Sequence, residues 1–409
     1  MNKIGLSLIA LAVTGSLSAQ AAEIGAVDFS GYFRAGTGVN SRGGTMTCFQ
    51  LPGADTKWRL GNECDYTIEP NLATTIAKTQ DGSEWRVHFM PSVYRAYGQI
   101  ENGTSELTTR FGQVYAYGRN VPQLNGGTVW AGRRFYNRLQ LGINDQFLER
   151  NDGDGAGVED INVGIGKFSA AFMMSGLDSD VNDNRFALPL RLTDIKTGKD
   201  SSLSVYATYE GQSRSEDQNT NTSPNGQPSG HALGIYHRAK GWIGEGETLI
   251  GARYDKNNTA RGAVDQKNTR LVIQQTGKML RATDWDVIGE VRWRNEKAAG
   301  DSTWYSLGGR TDTHISGPFR FLVELGHDIV KPDNGETRNL TKLTLAGAIS
   351  AGNEAGSRPT FRVFYTYARW NDAAKAVLGT GWVNESRAKE VFGNSNSGSS
   401  IGVQAEAWW

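Results

Sequence analysis

Residues 285–293 read Trp-Asp-Val-Ile-Gly-Glu-Val-Arg-Trp, and their alternation decides the fold. The odd positions are Trp285, Val287, Gly289, Val291 and Trp293, while the even positions include Asp286, Glu290 and Arg292. Successive side chains of a strand point to opposite faces, so one face is apolar with an indole at each end and the other carries charge. A soluble sandwich would bury the apolar face and leave its charges in water. A barrel wall in a membrane inverts this, setting the apolar face against lipid and the two indoles at the interfaces. The stretch also matches the roughly 9–11 tilted residues that cross a hydrocarbon layer.

The same pattern recurs on both sides of it. Phe319, Phe321, Val323 and Leu325 alternate with Arg320 and Glu324. Phe361, Val363, Tyr365 and Tyr367 alternate with Arg362 and Thr366. Leu203, Val205, Ala207 and Tyr209 alternate with Ser204, Tyr206, Thr208 and Glu210, and Trp85, Val87 and Phe89 with Arg86 and His88. Ile161, Val163 and Ile165 form a further apolar face; across Gly166-Lys167 the parity passes to Phe168, Ala170 and Phe172, which predicts a hairpin with a tight turn. Polar stretches at 211–230 and 372–400 read as long outer loops.

The ends of the chain agree. Lys3, the apolar run Ile4 to Val13 and the small residues Ala19 and Ala21 form an export signal with cleavage expected after Ala21. That run is too short to span a bilayer as a helix. Residues 22–409 read as one domain, with no linker or break in composition. At the C-terminus Ile401, Val403, Ala405 and Ala407 fall on the lipid face, and Gln404, Glu406 and Trp408 on the other. Near the start Val27, Phe29 and Phe33 face lipid, and Asp28, Ser30, Tyr32 and Arg34 face inward. Pairing the first strand with the last would remove both open edges. The composition, with 51 Gly, 10 Pro and 10% aromatics, suits a polar, exported all-β chain. A net charge of +0 argues against a nucleic-acid partner. The expected fold is therefore a transmembrane antiparallel β-barrel.

Two cysteines, Cys48 and Cys64, stand in an exported chain, where an even count favours a disulfide. Such a bridge would pin an external loop between Gly43 and Asn62, contributing about 3 kcal/mol in the chain-entropy view. Two thiols with no nearby histidine do not make a metal site, and no cofactor is expected. Asp152-Gly-Asp154 invites calcium but lacks the rest of a calcium loop. On the inward face, Tyr32 and Trp408 offer flat apolar surfaces. Arg34, Glu69, Arg110, Arg138 and Asp145 are ionic hydrogen-bond partners, stronger than neutral ones. Pyranose rings have apolar C–H faces and polar edges, so this lining suits a sugar path. The alternative for Trp408 is packing at the barrel seam.

Several blocks resemble the maltoporin family. They include Val27 to Arg34, Cys48-Phe-Gln50 with Arg59-Leu-Gly-Asn-Glu-Cys64, and Trp130 to Arg138. Gly155 to Gly164, Gly277 to Arg281, Arg358 to Trp370 and the terminal Trp-Trp continue the series in order along the mature chain. The resemblance implies an 18-stranded barrel, although length alone also allows 16, assembled as a homotrimer in the outer-membrane lipid of a Gram-negative cell. A third loop following Arg138 would fold into the lumen. A slide of aromatic side chains and ionic tracks would pass oligosaccharides, maltodextrins among them. Tyr32 and Trp408 match slide positions, and Trp242 stands near another. Arg34, Arg59, Glu69, Arg110, Arg138 and Asp145 match the tracks.

The departures bear on the substrate. The second slide tyrosine falls at Thr67, and Tyr66 beside it shares parity with lipid-facing Ile68 and Leu72. The slide tryptophan before Ser-Arg-Pro falls at Gly356, and Asn102 to Glu106 has no aromatic to donate across a trimer. The constriction tyrosine becomes Phe147, and an acidic third-loop position becomes Gln140. Weaker maltodextrin binding or another sugar is expected, and a nonselective diffusion pore is the alternative. An enzyme is not: the five histidines are scattered, and none lies in a hydrolase motif. His88 reads as a polar pore-lining residue.

Overall fold

The period-two segments pair antiparallel in a computed structural model that describes residues 25–97, 110–174, 185–212, 229–257, 266–280, 282–297, 299–377 and 391–409. The first five strands are β1 (Asp28–Asn40), β2 (Asp65–Lys78), β3 (Glu84–Ala96), β4 (Arg110–Val121) and β5 (Gly127–Arg134). Two short strands, β6 (Leu139–Leu141) and β7 (Gln146–Glu149), pair only with each other. Next come β8 (Gly153–Asn162), β9 (Lys167–Met174), β10 (Arg185–Gly198), β11 (Ser201–Gln212), β12 (Gly230–Lys240), β13 (Glu247–Lys256) and β14 (Gln266–Met279). The series ends with β15 (Thr283–Glu296), β16 (Ser302–Ser316), β17 (Phe319–Pro332), β18 (Arg338–Ser350), β19 (Thr360–Trp370) and β20 (Ser397–Trp408). β1 pairs with β2 on one side and β20 on the other, so the 18-stranded sheet closes and has no edge. The sheet holds 18 strands, not 16.

Burial follows the sequence parity. In β19, Thr360, Arg362, Phe364, Thr366, Ala368 and Trp370 are buried inward, and the residues between them are exposed. The outward side chains are a band of Leu, Ile, Val and Phe. An apolar outside over a charged inside is stable only where the outside meets lipid. Short turns join strands at the end that carries both termini. The loops at the other end are longer.

Two of those loops turn inward. The disulfide forms between Cys48 and Cys64, with Cα atoms 6.0 Å apart. The loop it ties is not external as expected; its middle lies along the inner wall. Its apolar residues Phe49, Leu51, Trp58 and Leu60 would otherwise face water, and all are buried. Lys342 Nζ donates to the Leu60 carbonyl (2.7 Å), and Thr366 Oγ1 to that of Gly61 (2.9 Å). Asp55 at the tip pairs with Arg270, Arg292 and Arg294. The indole of Trp58 sits against Gly308 and Gly326, which face each other across β16 and β17.

The third loop, 135–152, carries β6 and β7 and also enters the lumen. Leu141, Ile143 and Leu148 pack with Trp58 against the wall residues Tyr236, Leu249, Val272 and Ile288. Glu149 accepts from Tyr236 Oη (2.7 Å) and pairs with Arg253.

Smaller expectations need correction. Val163 and Ile165 lie in a four-residue turn closed by Val163 N–H to Gly166 C=O (3.0 Å), not on a strand face. Asp152 and Asp154 are paired with guanidinium groups, Arg138 and Arg150 on the first and Arg133 on the second. The stretch 211–230 includes the ends of β11 and β12, and 372–400 includes a six-residue helix, Asp372–Val377, and the start of β20. The export signal, Asn102 to Glu106 and the middles of those two stretches lie outside the described residues.

Candidate functional site: the lumen wall and its two inward loops

The seam strands place the candidate residues in rows. Directly opposed residues of an antiparallel sheet share a face. Trp408, Tyr32 and Glu69 form one row across β20, β1 and β2, and Glu406, Arg34, Thr67 and Tyr94 form the next across β20 to β3. Tyr32 Oη donates to Glu406 Oε1 (2.9 Å) and accepts from Arg34 Nη1 (3.2 Å). Arg34 Nη2 reaches Thr67 Oγ1 (3.2 Å), and its guanidinium pairs with Asp65. Ser92 Oγ donates to Glu69 (3.2 Å), and exposed Arg110 stands opposite Ser92.

The two loops meet this wall through Arg59. Its Nε donates to Glu63 (2.5 Å), one Nη to the Gly142 carbonyl (3.2 Å) and the other to Tyr32 Oη (3.5 Å). Asp145 lies 3.8 Å away and accepts from Gln140. Tyr32, Arg34 and Arg59 are therefore joined by hydrogen bonds, and Asp145, held by Gln140, faces Arg59 across an ion pair. Burial alone would raise the Glu63 carboxyl, but Arg34, Lys57 and Arg59 hold it well below the usual carboxylate range. Burial pulls Arg59 down and Glu63 and Asp145 push it up, leaving it raised and charged. Asp145 is raised, first by burial and then by Glu63, against the pull of Arg59. Its side chain stays 41% exposed, so pore water tempers the effect.

Trp408 is 44% exposed at the end of β20, on a position that shares its face with Tyr32. The Arg358 guanidinium lies 3.6 Å from its ring centre and donates to Glu406 (3.2 Å). Burial pushes Arg358 down to about 10. Arg358, Arg362 and Gly356 line a cavity of about 760 Å³ with Arg310, Asp286 and Asp312. An added Cβ at Gly356 would meet nothing within 4 Å, so the position that lacks an aromatic is open space.

Other expected residues lie apart from this cluster. Arg138 is spent on Asp152 (2.9 and 3.0 Å) and stacks on Phe135 (3.3 Å), with Phe147 at 5.1 Å. Trp242 sits in the turn between β12 and β13 beside His237 (5.1 Å), a residue with outward parity. The structure does not bring it to Tyr32 or Trp408. His88 accepts or donates with Asn71 (2.7 Å) and stacks on Tyr115, as a pore-lining polar residue does. Sequence reading missed Glu63, Asp65, Tyr94 and Arg358 as site members. Parity could have supplied Asp65 and Tyr94. Glu63 and Arg358 lie outside strands and carry no periodic signal.

A closed barrel with an apolar exterior, a charged lumen and inward loops that narrow it is a porin, a channel rather than an enzyme, integral to the outer membrane of a Gram-negative bacterium. The sequence matches the family model described as LamB porin over residues 27–409, and the chain belongs to that family, the maltoporins. Among solved structures it is similar to Acinetobacter baumannii OccAB1 (TM-score 0.53, 10% identity, 94% of this chain and 96% of that one). It is also similar to Pseudomonas aeruginosa OccD3 (TM-score 0.51, 11% identity, 93% and 91%) and Pseudomonas aeruginosa OccK10 (TM-score 0.51, 9% identity, 94% and 98%). At these identities the likeness concerns the fold.

Proposed function

We propose that the channel passes oligosaccharides by facilitated diffusion, as a homotrimer, with maltodextrins or a related sugar as solute. The observation that carries this is the row Trp408–Tyr32–Glu69 beside the Arg34–Arg59–Asp145 cluster. Aromatic faces for pyranose C–H groups lie next to charged groups that exchange hydrogen bonds with hydroxyls. Trp408 and Tyr32 serve as stacking surfaces. Arg34, Arg59, Glu69, Arg110 and Asp145 serve as hydrogen-bond partners, Gln140 orients Asp145, and Arg138 and Phe147 shape the third loop. Trp242, set at a turn, has at most a place at the exit.

One observation favours the second reading, a nonselective diffusion pore. Arg358 covers one face of Trp408, and Thr67 and Gly356 leave the aromatic path broken. Titrating sugars against ion current through the trimer in a planar bilayer separates the two. Saturable block by an oligosaccharide, weakened in Trp408→Ala, is the expected result. Ohmic current that no sugar blocks would leave the nonselective pore.

A further inference from the structure

Two observations meet on the outer face of the barrel, away from the lumen. The first is a row of basic side chains. Directly opposed residues run Tyr209, His231, Lys256, Lys267 and Asn295 across β11 to β15, all with outward parity. The row lies close to the strand ends that carry the long loops, just beyond the row of Tyr254 and Trp293. Outward aromatics at that level mark the membrane interface, so the row stands where lipid headgroups begin. Lys256 and Lys267 face each other directly, and like charges so placed destabilise a ladder. Inside the barrel Arg253 and Arg270 are opposed in the same way, but Glu149, Asp55 and Glu290 neutralise them. Among the described residues no carboxylate pairs with Lys256 or Lys267. Asp301, beyond Asn295, accepts from that amide instead (2.7 Å). The second observation is a groove of about 670 Å³ on the outer faces of β8 to β12. Its floor is low because Ala156, Ala170 and Ala207 carry only methyl groups, between the larger Phe172, Leu188 and Tyr209. His231 lines its edge, so the groove opens directly beside Lys256.

We propose that this face is a binding site for the phosphorylated, acylated glucosamine lipid of the outer leaflet, the lipid A part of lipopolysaccharide. One phosphate sits between Lys256 and Lys267, and one acyl chain lies in the alanine-floored groove. A phosphate monoester carries more than one negative charge and three acceptor oxygens, so a single group serves both ammonium groups. It supplies the counter-charge that the opposed lysines lack. Ala207 is two strands from Lys256, about 10 Å, a distance that one headgroup with several chains spans. Free phosphate would satisfy the lysines but make no use of the groove. An uncharged lipid would fill the groove but leave the lysines opposed. The site requires the outer-membrane setting and no particular solute in the channel.

The test uses the mature protein purified as its native oligomer in detergent, with bisphosphorylated lipid A as the probe and bound lipid read by native mass spectrometry. Lys256→Gln with Lys267→Gln is expected to weaken the tightest-bound lipid A about thirtyfold, as removing two lysines beside an anionic surface implies, and to leave channel conductance unchanged. Lys196→Gln with Lys240→Gln makes the same charge change near the inner ends of β10 and β12 and should follow the wild type. Ala207→Phe fills the groove with both lysines in place and should weaken lipid A about tenfold, as loss of roughly 50 Å² of acyl contact implies. That variant also covers the case in which the lysine pair is needed for folding. Lipid A binding that is unchanged in the outer lysine variant, or weakened equally in the inner one, overturns the site. So does the deacylated headgroup binding as tightly as lipid A, which would mean a phosphate site without the groove. Release of monomers by the outer lysine variant with lipid binding intact would make this face a contact between copies of the chain and overturn the lipid site.

Discussion

Replacing Gly326 with valine should release the first loop from the lumen wall. A Cβ at Gly326 would lie 2.1 Å from Cδ1 and 2.2 Å from Cγ of Trp58, and one at Gly308 would lie 2.7 Å from its ring. Carbon atoms pack at about 3.5–4.0 Å, so the indole must leave the socket rather than shift within it. Trp58 is 2% exposed. An indole buries roughly 150–250 Å², which at about 25 cal/mol per Å² gives about 4–6 kcal/mol as an upper figure. Core Trp-to-Ala losses of about 3–5 kcal/mol set the working range. The strand itself should tolerate valine, a good strand former. Gly347→Val is the control, because there an added Cβ meets nothing within 4 Å. Lys57 and Arg59 flank Trp58, and Lys57 is buried in the docked loop, so trypsin should cut the variant there and spare the wild type. The cut lies between Cys48 and Cys64, so the fragments should separate on a gel only after reduction. Conductance should rise as the lumen widens. A variant that resists trypsin and conducts like the wild type would refute the idea that the glycine pair holds the loop.

Opening the Cys48–Cys64 bridge with Cys48→Ser and Cys64→Ser should cost the loop about 3 kcal/mol of order, seen as trypsin cutting at lower temperature than in the wild type. Glu63→Gln leaves Arg34, Lys57 and Arg59 buried without their shared counter-charge, and should destabilise the docked loop by about 3–5 kcal/mol in thermal unfolding. Because the Glu63 carboxyl is lowered, its contribution is complete above the ordinary glutamate value of about 4.3 and fades only as pH falls through the lower folded value. The wild-type loop should therefore stay docked at pH about 4, and tryptic release there would count against the pairing. Asp145 is raised, so on acidification it takes up a proton before an ordinary aspartate (about 3.9) does. That removes a negative charge beside Arg59, so the reversal potential in a salt gradient should move toward anion preference, and Asp145→Asn should lack that step. Arg358→Ala uncovers the Trp408 face and should tighten sugar block if the indole is a stacking surface; unchanged block would place Trp408 outside the path.

The barrel wall was legible because lipid imposes a rule on every second residue. Trp293, Phe321, Val363 and Ile401 fall on the outside as their parity requires. The strand count was not legible from periodicity, since Leu139–Leu141 and Gln146–Glu149 are strands outside the wall. The first loop misled because loop residues carry no period. Nothing in Asp55 announces three arginines on β14 and β15, at sequence separations of 215 to 239 residues. The socket of Trp58 is made of two glycines, whose meaning is the absence of side chains. The candidate site divides the same way. Strand members Tyr32, Arg34, Glu69 and Trp408 were placed by alternation, whereas Trp242, set by spacing alone, lies beside His237.

How much of the lumen charge is available to a solute is decided by what the charges already hold. Arg253 is committed to Glu149, Arg270 to Asp55 and Glu290, Arg320 to Asp312, and Glu324 to Lys342 and Arg310. Burying a charge is costly unless it is paired, so these wall ions act as anchors for the inward loops and as mutual partners. They are poor candidates for a sugar track, since a hydroxyl would have to displace an ion. Arg59 and Asp145 differ: they stand 3.8 Å apart, beyond a direct hydrogen bond, with Asp145 side-chain oxygens open to the pore. A hydroxyl can bridge that gap without breaking a shorter bond. Selectivity should then be concentrated where the first and third loops meet near Tyr32, and substitutions on the opposite wall should change conductance before they change sugar block.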